Sequence, residues 1–215
     1  MIKEDQKGYL ESSLFAKGWN FIGVDEVGRG CLAGPVYAAA CVLNWGKLTS
    51  LSREQKVFLR DSKTLSAKQR IRAVTLIKRI AECFAIERSS QREVEDLRIV
   101  AATHLAMRRA LKKIPISFDK ILVDGREKIL GVSAESQIAL IKGDSLAYSI
   151  ACASILAKEA RDAFMKAEAV HFPGYGFETH VGYGTKKHLN ALKSLGPCTL
   201  HRRNFAPVLS ILGSS

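Results

Sequence analysis

Three apolar runs in this 215-residue chain close on carboxylates: Phe21–Val24 on Asp25 and Glu26, Lys120–Val123 on Asp124, and Ser136–Lys142 on Asp144 by way of Gly143. Short β-branched runs read as buried strands, so each acid is expected at a strand end. Taken singly, Asp124-Gly125 also fits a hairpin turn and Asp144 also fits a helix cap. Asp25 and Glu26 are harder to set aside, because adjacent carboxylates repel unless positive charge lies nearby. Lys and Arg number 33 against 21 Asp and Glu, a net charge of +12. In that setting, acids gathered from three strand ends point to hard cations. Oxygen donors suit Mg²⁺ or Mn²⁺, whereas zinc more often recruits Cys or His. Two such ions held by carboxylates can activate water and stabilise the leaving oxygen of a phosphodiester.

The positive excess favours a polyanionic partner, nucleic acid above all. Five cysteines, widely spaced and without a Cys-x-x-Cys pair, read as reduced thiols and argue against structural zinc. Met1–Gly8 mixes charges without an apolar core, and no apolar run approaches the ~18 residues of a membrane span. A cytoplasmic monomer with no membrane contact is expected.

The acids need elements to carry them. Val36–Leu43 is expected to pair with the first strand as a hairpin. The connection contains Gly28, Arg29 and Gly30, where backbone without Cβ atoms can approach a ligand and one guanidinium can meet an anion. Asn44–Arg60 reads as a polar connector. Ser66 and Gln69 form a capping box for a helix with Ile71, Val74, Ile77 and Ile80 on one face. Cys83–Glu87 reads as a strand and Val94–Lys113 as a helix ending before Pro115. A helix over Leu146–Val170 carries Ser149, Ala151, Cys152, Ala153, Ser154 and Ala157, small enough to lie close against a sheet. A Gly and aromatic loop (Phe172–Gly184), a short basic helix (Thr185–Leu195) and a basic then apolar segment (Leu200–Leu212) complete the chain. No repeat or linker divides it, so residues 1–215 are expected to form a single domain.

Several motifs stand in a fixed order: Asp-Glu-Val-Gly-Arg-Gly-Cys-Leu-Ala-Gly-Pro-Val at Asp25–Val36, Asp-Ser-Lys at Asp61–Lys63, Val-Asp-Gly at Val123–Gly125, Gly-Asp at Gly143–Asp144, Ala-Ser-Ile-Leu-Ala-Lys from Ala153, and Gly-Tyr-Gly-Thr at Gly182–Thr185. This ordered set, from Phe21 to about Val208, closely resembles bacterial ribonuclease HII. Cys31 departs from the family's usual proline and bears on the stiffness of the turn.

The resemblance implies an α/β ribonuclease H-like fold, a mixed central sheet flanked by helices, with a helical C-terminal portion (about residues 185–215) that helps hold a duplex. It implies that Asp25, Glu26, Asp124 and Asp144 bind two divalent ions, Mg²⁺ or Mn²⁺, in the substrate complex, with Asp25 shared between them. It implies cleavage of the RNA strand of RNA–DNA hybrids and nicking 5′ to ribonucleotides in duplex DNA, leaving 3′-hydroxyl and 5′-phosphate ends. Gly28, Arg29 and Gly30 match the turn that reads the ribose 2′-hydroxyl, the one group that sets a lone ribonucleotide apart from DNA. Tyr183 matches a tyrosine packed on the neighbouring sugar, and Lys63 would hold a phosphate. Arg202, Arg203, Lys186 and Lys187 are candidate backbone contacts, while His171, His180, His188 and His201 read as structural or solvated. Two alternatives are a ribonuclease HIII-like enzyme, disfavoured by the short N-terminal stretch and by Asp144 where that family has glutamate, and an inactive hybrid-binding module, disfavoured by the four acids. No clamp-binding pattern occurs in Ile211–Ser215, and no protein partner is indicated.

Overall fold

A computed structural model describes residues 7–213, so the readings of Met1–Gly8 and Ile211–Ser215 lie partly outside the described residues. Five strands, β1 (Phe21–Val27), β2 (Val36–Leu43), β3 (Ala81–Ser89), β4 (Lys120–Asp124) and β5 (Gln137–Leu140), form one sheet in the order β3-β2-β1-β4-β5. The first three are antiparallel neighbours, while β4 runs parallel to β1 and β5 parallel to β4. Around this mixed sheet lie α1 (Tyr9–Ala16), α2 (Trp45–Thr49), α3 (Arg53–Lys56), α4 (Ala67–Ile80), α5 (Gln91–Lys112), α6 (Gly143–Leu146), α7 (Tyr148–Glu168), α8 (Phe177–His180), α9 (Lys186–Leu195) and α10 (Ala206–Leu212). Among the described residues no helix is long and apolar enough to cross a membrane.

The two sheet faces bury different layers. Alternation along the strands sends Val27, Ala39, Cys41 and Leu43 toward α7 and α4, where they meet Cys152, Ile155, Leu156, Ile77 and Ile80. Ile22, Val24, Ala38, Ala40 and Val42 face the opposite way, onto Ala106, Met107 and Ala110 of α5. Helix α7 lies unusually close to β1. A Cβ at Gly23 would stand 2.2 Å from the carbonyl carbon of Ser149, inside the helix backbone. The small residues of α7 are accordingly buried as a helix lying tight on a sheet requires.

The structure revises several sequence expectations. Strand β1 does not stop at the acids but runs through Asp25 and Glu26 to Val27, because β2 offers a continuous ladder with Asp25 opposite Ala39 and Glu26 opposite Ala38. The connector after β2 contains α2 and α3, each with a local cap: Asn44 accepts from the Lys47 N–H, and Ser52 forms a capping box with Gln55. Helix α4 has its expected box at Ser66 and Gln69 but buries Ala73, Leu76, Ile77 and Ile80, leaving Ile71 60% exposed. Steps of three fall about 60° short of a full turn, so a face drawn at that spacing drifts off the core. Helix α5 starts earlier than expected, at its Ser90–Glu93 capping box, and is broken at Arg98 (φ 68°, ψ 161°). Strand β5 is short because Lys142 turns left-handed (φ 57°), so Asp144 rides on the helical turn α6 rather than on a strand end.

Gly23→Ala is expected to lower the unfolding free energy by on the order of 3 kcal/mol, since neither β1 nor α7 can move without displacing the core. Urea denaturation of the purified variant checks this, with an equivalent Gly30→Ala substitution, which meets open space, as the control.

Candidate active site

Asp25 and Glu26 are consecutive on β1, so their side chains leave opposite faces: Asp25 toward α7, Glu26 toward the α5 side. Strand β4 runs parallel to β1 with Val123 beside Val24, and one residue further along each strand stand Asp124 and Asp25. Asp124 Oδ1 accepts the N–H of Gly143 at 2.6 Å, pinning the α6 turn, and with it Asp144, against the end of β4. The site is tight: a Cβ at 143 would lie 2.7 Å from Ile150 Cδ1 and 3.2 Å from Asp124 Oδ1, so a side chain there would force its neighbours to shift.

Charge accumulates at this corner. Asp25 is 5% exposed; burial and the Glu26 and Asp124 carboxylates push its carboxyl well above the usual range. Its own Glu26 N–H, 2.7 Å from Oδ1, and the Ser154 hydroxyl oppose this only in part. Burial also raises Glu26, against the pull of Arg29, whose Nη1 donates to Glu26 Oε1 at 3.3 Å. Arg29 thus lies against a protein carboxylate while its side chain stays 48% exposed. Burial raises Asp144 too, followed by the nearby charges of Asp61 and Asp124. Among the described residues no group of three or more His, Cys, Asp or Glu side chains is placed to hold a metal ion. An open set of oxygen donors nevertheless fits Mg²⁺ or Mn²⁺, since Mg²⁺ keeps several waters and is held by one or two carboxylates together with substrate phosphates. The repulsion stored among these acids is what a divalent ion would relieve.

Two buried arginines hold the neighbouring turn. Gly28 has φ +93°, and a Cβ there would meet Arg161 Nε at 2.2 Å. Arg161 donates to the carbonyls of Pro35 (3.0 Å), Val181 (2.8 Å) and Ala33 (3.0 Å). Arg202 donates to those of Gly34 (2.9 Å), Arg29 (2.9 Å) and Gly28 (2.8 Å). Both guanidinium groups are fully buried, and burial pulls Arg202 down to about 10. Arg202 is thus not a surface contact for a nucleic-acid backbone: it straps the glycine turn from beneath. Arg203, Lys186 and Lys187 are exposed, Lys187 lying 3.6 Å from Glu178, and Lys63 is exposed beside Asp61, whose Oδ1 accepts the Lys63 N–H. The Cβ side of Gly30 opens to solvent.

Tyr183 reaches the same turn through a bridge to Cys31, and burial followed by the Cys31 thiol pushes its hydroxyl up to about 12. Cys31 is fully buried, and its N–H donates to Gly28 O at 3.4 Å, a bond that proline could not make. Beneath Tyr183 lies a histidine relay. His201 Nδ1 accepts the Cys198 N–H at 3.0 Å, so in the neutral ring the proton sits on Nε2, 3.0 Å from His188 Nε2. His188 then carries its proton on Nδ1 and donates it to Tyr183 O at 2.9 Å. Burial lowers both histidines, His201 to about 4. His180 is buried and stacked on His188, whereas His171 is exposed.

Sequence reasoning missed Asp61 and Ser154 as neighbours of the acids and Lys7, whose Nζ donates to Asp144 O and whose ammonium is lowered to about 8 by burial. Asp61 and Ser154 were visible inside the quoted motifs; Lys7 had no such signal.

A family model described as Ribonuclease HII matches residues 22–208. The ribonuclease HII of Parasynechococcus marenigrum (strain WH8102) is 48% identical over 183 residues, 85% of this chain and 80% of the relative. Among solved structures, the ribonuclease H2 of Pyrococcus horikoshii OT3 superposes with TM-score 0.73 at 21% identity, covering 91% of this chain and 98% of that one. Bst-RNase HIII in complex with Mn²⁺ superposes at 0.71 and 19% identity, covering 91% and 70%. At such identities the structural likeness bears on the fold alone, and the family match sets the ribonuclease HIII alternative aside.

Two pH effects follow. The folded-state pKa of Asp25 lies above its unfolded value, so the stability it allows is full at low pH and is lost as pH rises through the folded value. Asp25→Asn, assayed with chelator near pH 8, is expected to raise the melting temperature by roughly 2–4 °C, and the gain should vanish in acid. His201 works in the opposite sense: its folded pKa is depressed, so its contribution is present above about pH 6.5 and lost as pH falls toward 4. The stability gap between wild type and His201→Gln should therefore narrow over that window in urea titrations.

Proposed function

The chain belongs to the ribonuclease HII family and is a ribonuclease H, and from that premise we propose that it nicks duplex DNA 5′ to embedded ribonucleotides and cuts the RNA strand of RNA–DNA hybrids, leaving 3′-hydroxyl and 5′-phosphate ends. The observation that carries this reading is the adjacency, on one strand end, of a carboxylate cluster and a rigidly strapped glycine turn.

Asp25, Glu26, Asp124 and Asp144 are the residues that would hold divalent ions, Mg²⁺ or Mn²⁺, and Asp25, whose carboxyl feels the charges of both Glu26 and Asp124, is the one that would be shared. Such ions, when bound, supply activation of the attacking water and neutralisation of charge on the phosphodiester. The remaining work belongs to the chain. Backbone at Gly28–Gly30 meets the ribose 2′-hydroxyl in the minor groove, and the Arg202 bonds to the Gly28 and Arg29 carbonyls keep that backbone from yielding to a sugar that lacks the hydroxyl. Tyr183, braced on Cys31 and on the histidine relay, packs against the adjoining sugar. Lys63 holds a phosphate beside the acids, and the exposed Lys186, Lys187 and Arg203 of the C-terminal portion grip the duplex backbone. RNA–DNA hybrid and ribonucleotide-bearing DNA are the partners, and the cytoplasm is the compartment.

With Mg²⁺ or Mn²⁺, a DNA duplex carrying one ribonucleotide should yield a single nick whose 3′-hydroxyl a polymerase can extend, while an all-DNA duplex stays intact. Asp124→Ala should slow the nick by about 100-fold or more. Equal rates for wild type and Asp124→Ala would remove the catalytic assignment.

A further inference from the structure

Helix α7 begins without a cap of its own. The residue at its N-cap is Ala147, in extended conformation, which has no side chain to receive the first N–H groups. Both oxygens of Glu11, more than 130 residues earlier in the chain, take that place: Oε2 accepts the Tyr148 N–H at 2.7 Å and Oε1 the Ser149 N–H at 2.8 Å. Glu11 is fully buried. A buried carboxylate is costly unless bonded and matched by positive charge, and a helix N-terminus supplies both.

The same N-terminal arm makes two further bonds to the turn that carries Asp144. The Gly8 N–H donates to Leu146 O at 2.8 Å, and Lys7 Nζ donates to the main-chain oxygen of Asp144. Its fit is close: a Cβ on Gly8 (φ +83°) would stand 2.8 Å from the Tyr148 ring. Leu14 anchors the arm in an apolar cluster with Phe21, Leu122, Ala147 and Ile150. Ala147 ends α6 and begins α7, so whatever fixes the start of α7 also fixes the turn before it. Asp144 is therefore held from two sides, by the Gly143 N–H bond to Asp124 and by the arm. The arm precedes the first residue matched by the family model.

We propose that Glu11 is a positioning residue for Asp144: it caps α7 from a distant part of the chain and so sets the distance between Asp144 and Asp124 across which a divalent ion must be held. This rests on the reading of Asp144 as a metal ligand. Groups that orient ligands without touching the ion typically alter affinity or activity by 10- to 100-fold when removed.

The test compares Glu11→Gln, Glu11→Ala and the double variant Glu11→Ala/Ala147→Ser, in which a local hydroxyl replaces the distant cap. Mn²⁺ binding to the protein alone is followed by electron paramagnetic resonance, and nicking of a one-ribonucleotide duplex gives kcat, KM and the Mg²⁺ concentration for half-maximal rate, all below the melting transition. Expected are Mn²⁺ binding weakened and the Mg²⁺ midpoint raised by about 10-fold in Glu11→Gln, KM for the duplex within about twofold of wild type, and partial recovery in the double variant relative to Glu11→Ala. If Glu11→Gln melts earlier yet keeps wild-type Mn²⁺ affinity and Mg²⁺ midpoint, the residue is structural only and the proposal fails. Asp144→Asn separates the two levels. Full activity in that variant would sink the reading of the site itself, whereas an inactive Asp144→Asn beside a wild-type-like Glu11→Gln would sink this inference alone.

Discussion

The tight approach of α7 to β1 at Gly23 is the constraint on which the rest depends. With the backbone carbon of Ser149 only 2.2 Å from where a Cβ would be, helix and strand are locked in one register. Two residues along β1 from that contact, Asp25 is enclosed between sheet and helix with Ser154 beside it. At the N-terminal end of the same helix, the α6 turn is delivered to the end of β4, and Asp144 with it. Water is excluded from Asp25 by this packing, which is why its carboxyl is displaced so far upward. A looser helix would hydrate the acid and disperse the cluster.

The molecule therefore holds two regions under opposite electrostatic regimes. At the acids, like charges are brought together with, among the described residues, only Arg29 and Lys7 to offset them, at a cost in stability that functional sites commonly carry. Behind the glycine turn, two buried guanidinium groups are satisfied by six backbone carbonyls rather than by carboxylates. Those bonds let a segment rich in glycine, which has the most conformational freedom to lose, keep one shape. On the proposed reading the first region does the cutting and the second checks the sugar, and rigidity in the second is what makes discrimination by one hydroxyl feasible.

Much of this was legible in the residues. Local signals survived folding well: the β1–β2 hairpin, the capping box at Ser66, and the small face of α7 all depend on neighbours in sequence. Where Ile71 was placed on one face with Val74, Ile77 and Ile80, a spacing of three had been followed beyond the turn it describes, and Ile71 is exposed. Parallel pairing of β1 with β4 joins residues about a hundred apart and leaves no local mark, so the adjacency of Asp25 and Asp124 could be expected only from the ordered motifs. Arg202 was misassigned for a related reason. An arginine beside another arginine ordinarily reads as surface charge, and nothing nearby announces that its partners are the carbonyls of Gly28, Arg29 and Gly34. Glu11, likewise, looks like an ordinary helix acid until the fold brings it to the uncapped end of α7.

The central claim, that the four acids and the glycine turn act together on one sugar and one phosphate, is tested most directly by anomalous diffraction from crystals grown with Mn²⁺ and a duplex bearing a single ribonucleotide followed by a hydrolysis-resistant linkage. The account predicts Mn²⁺ peaks bounded by Asp25, Glu26, Asp124 and Asp144, with the 2′-hydroxyl against the backbone of Gly28–Gly30. Mn²⁺ bound elsewhere, or a duplex seated on another face of the sheet, would contradict it.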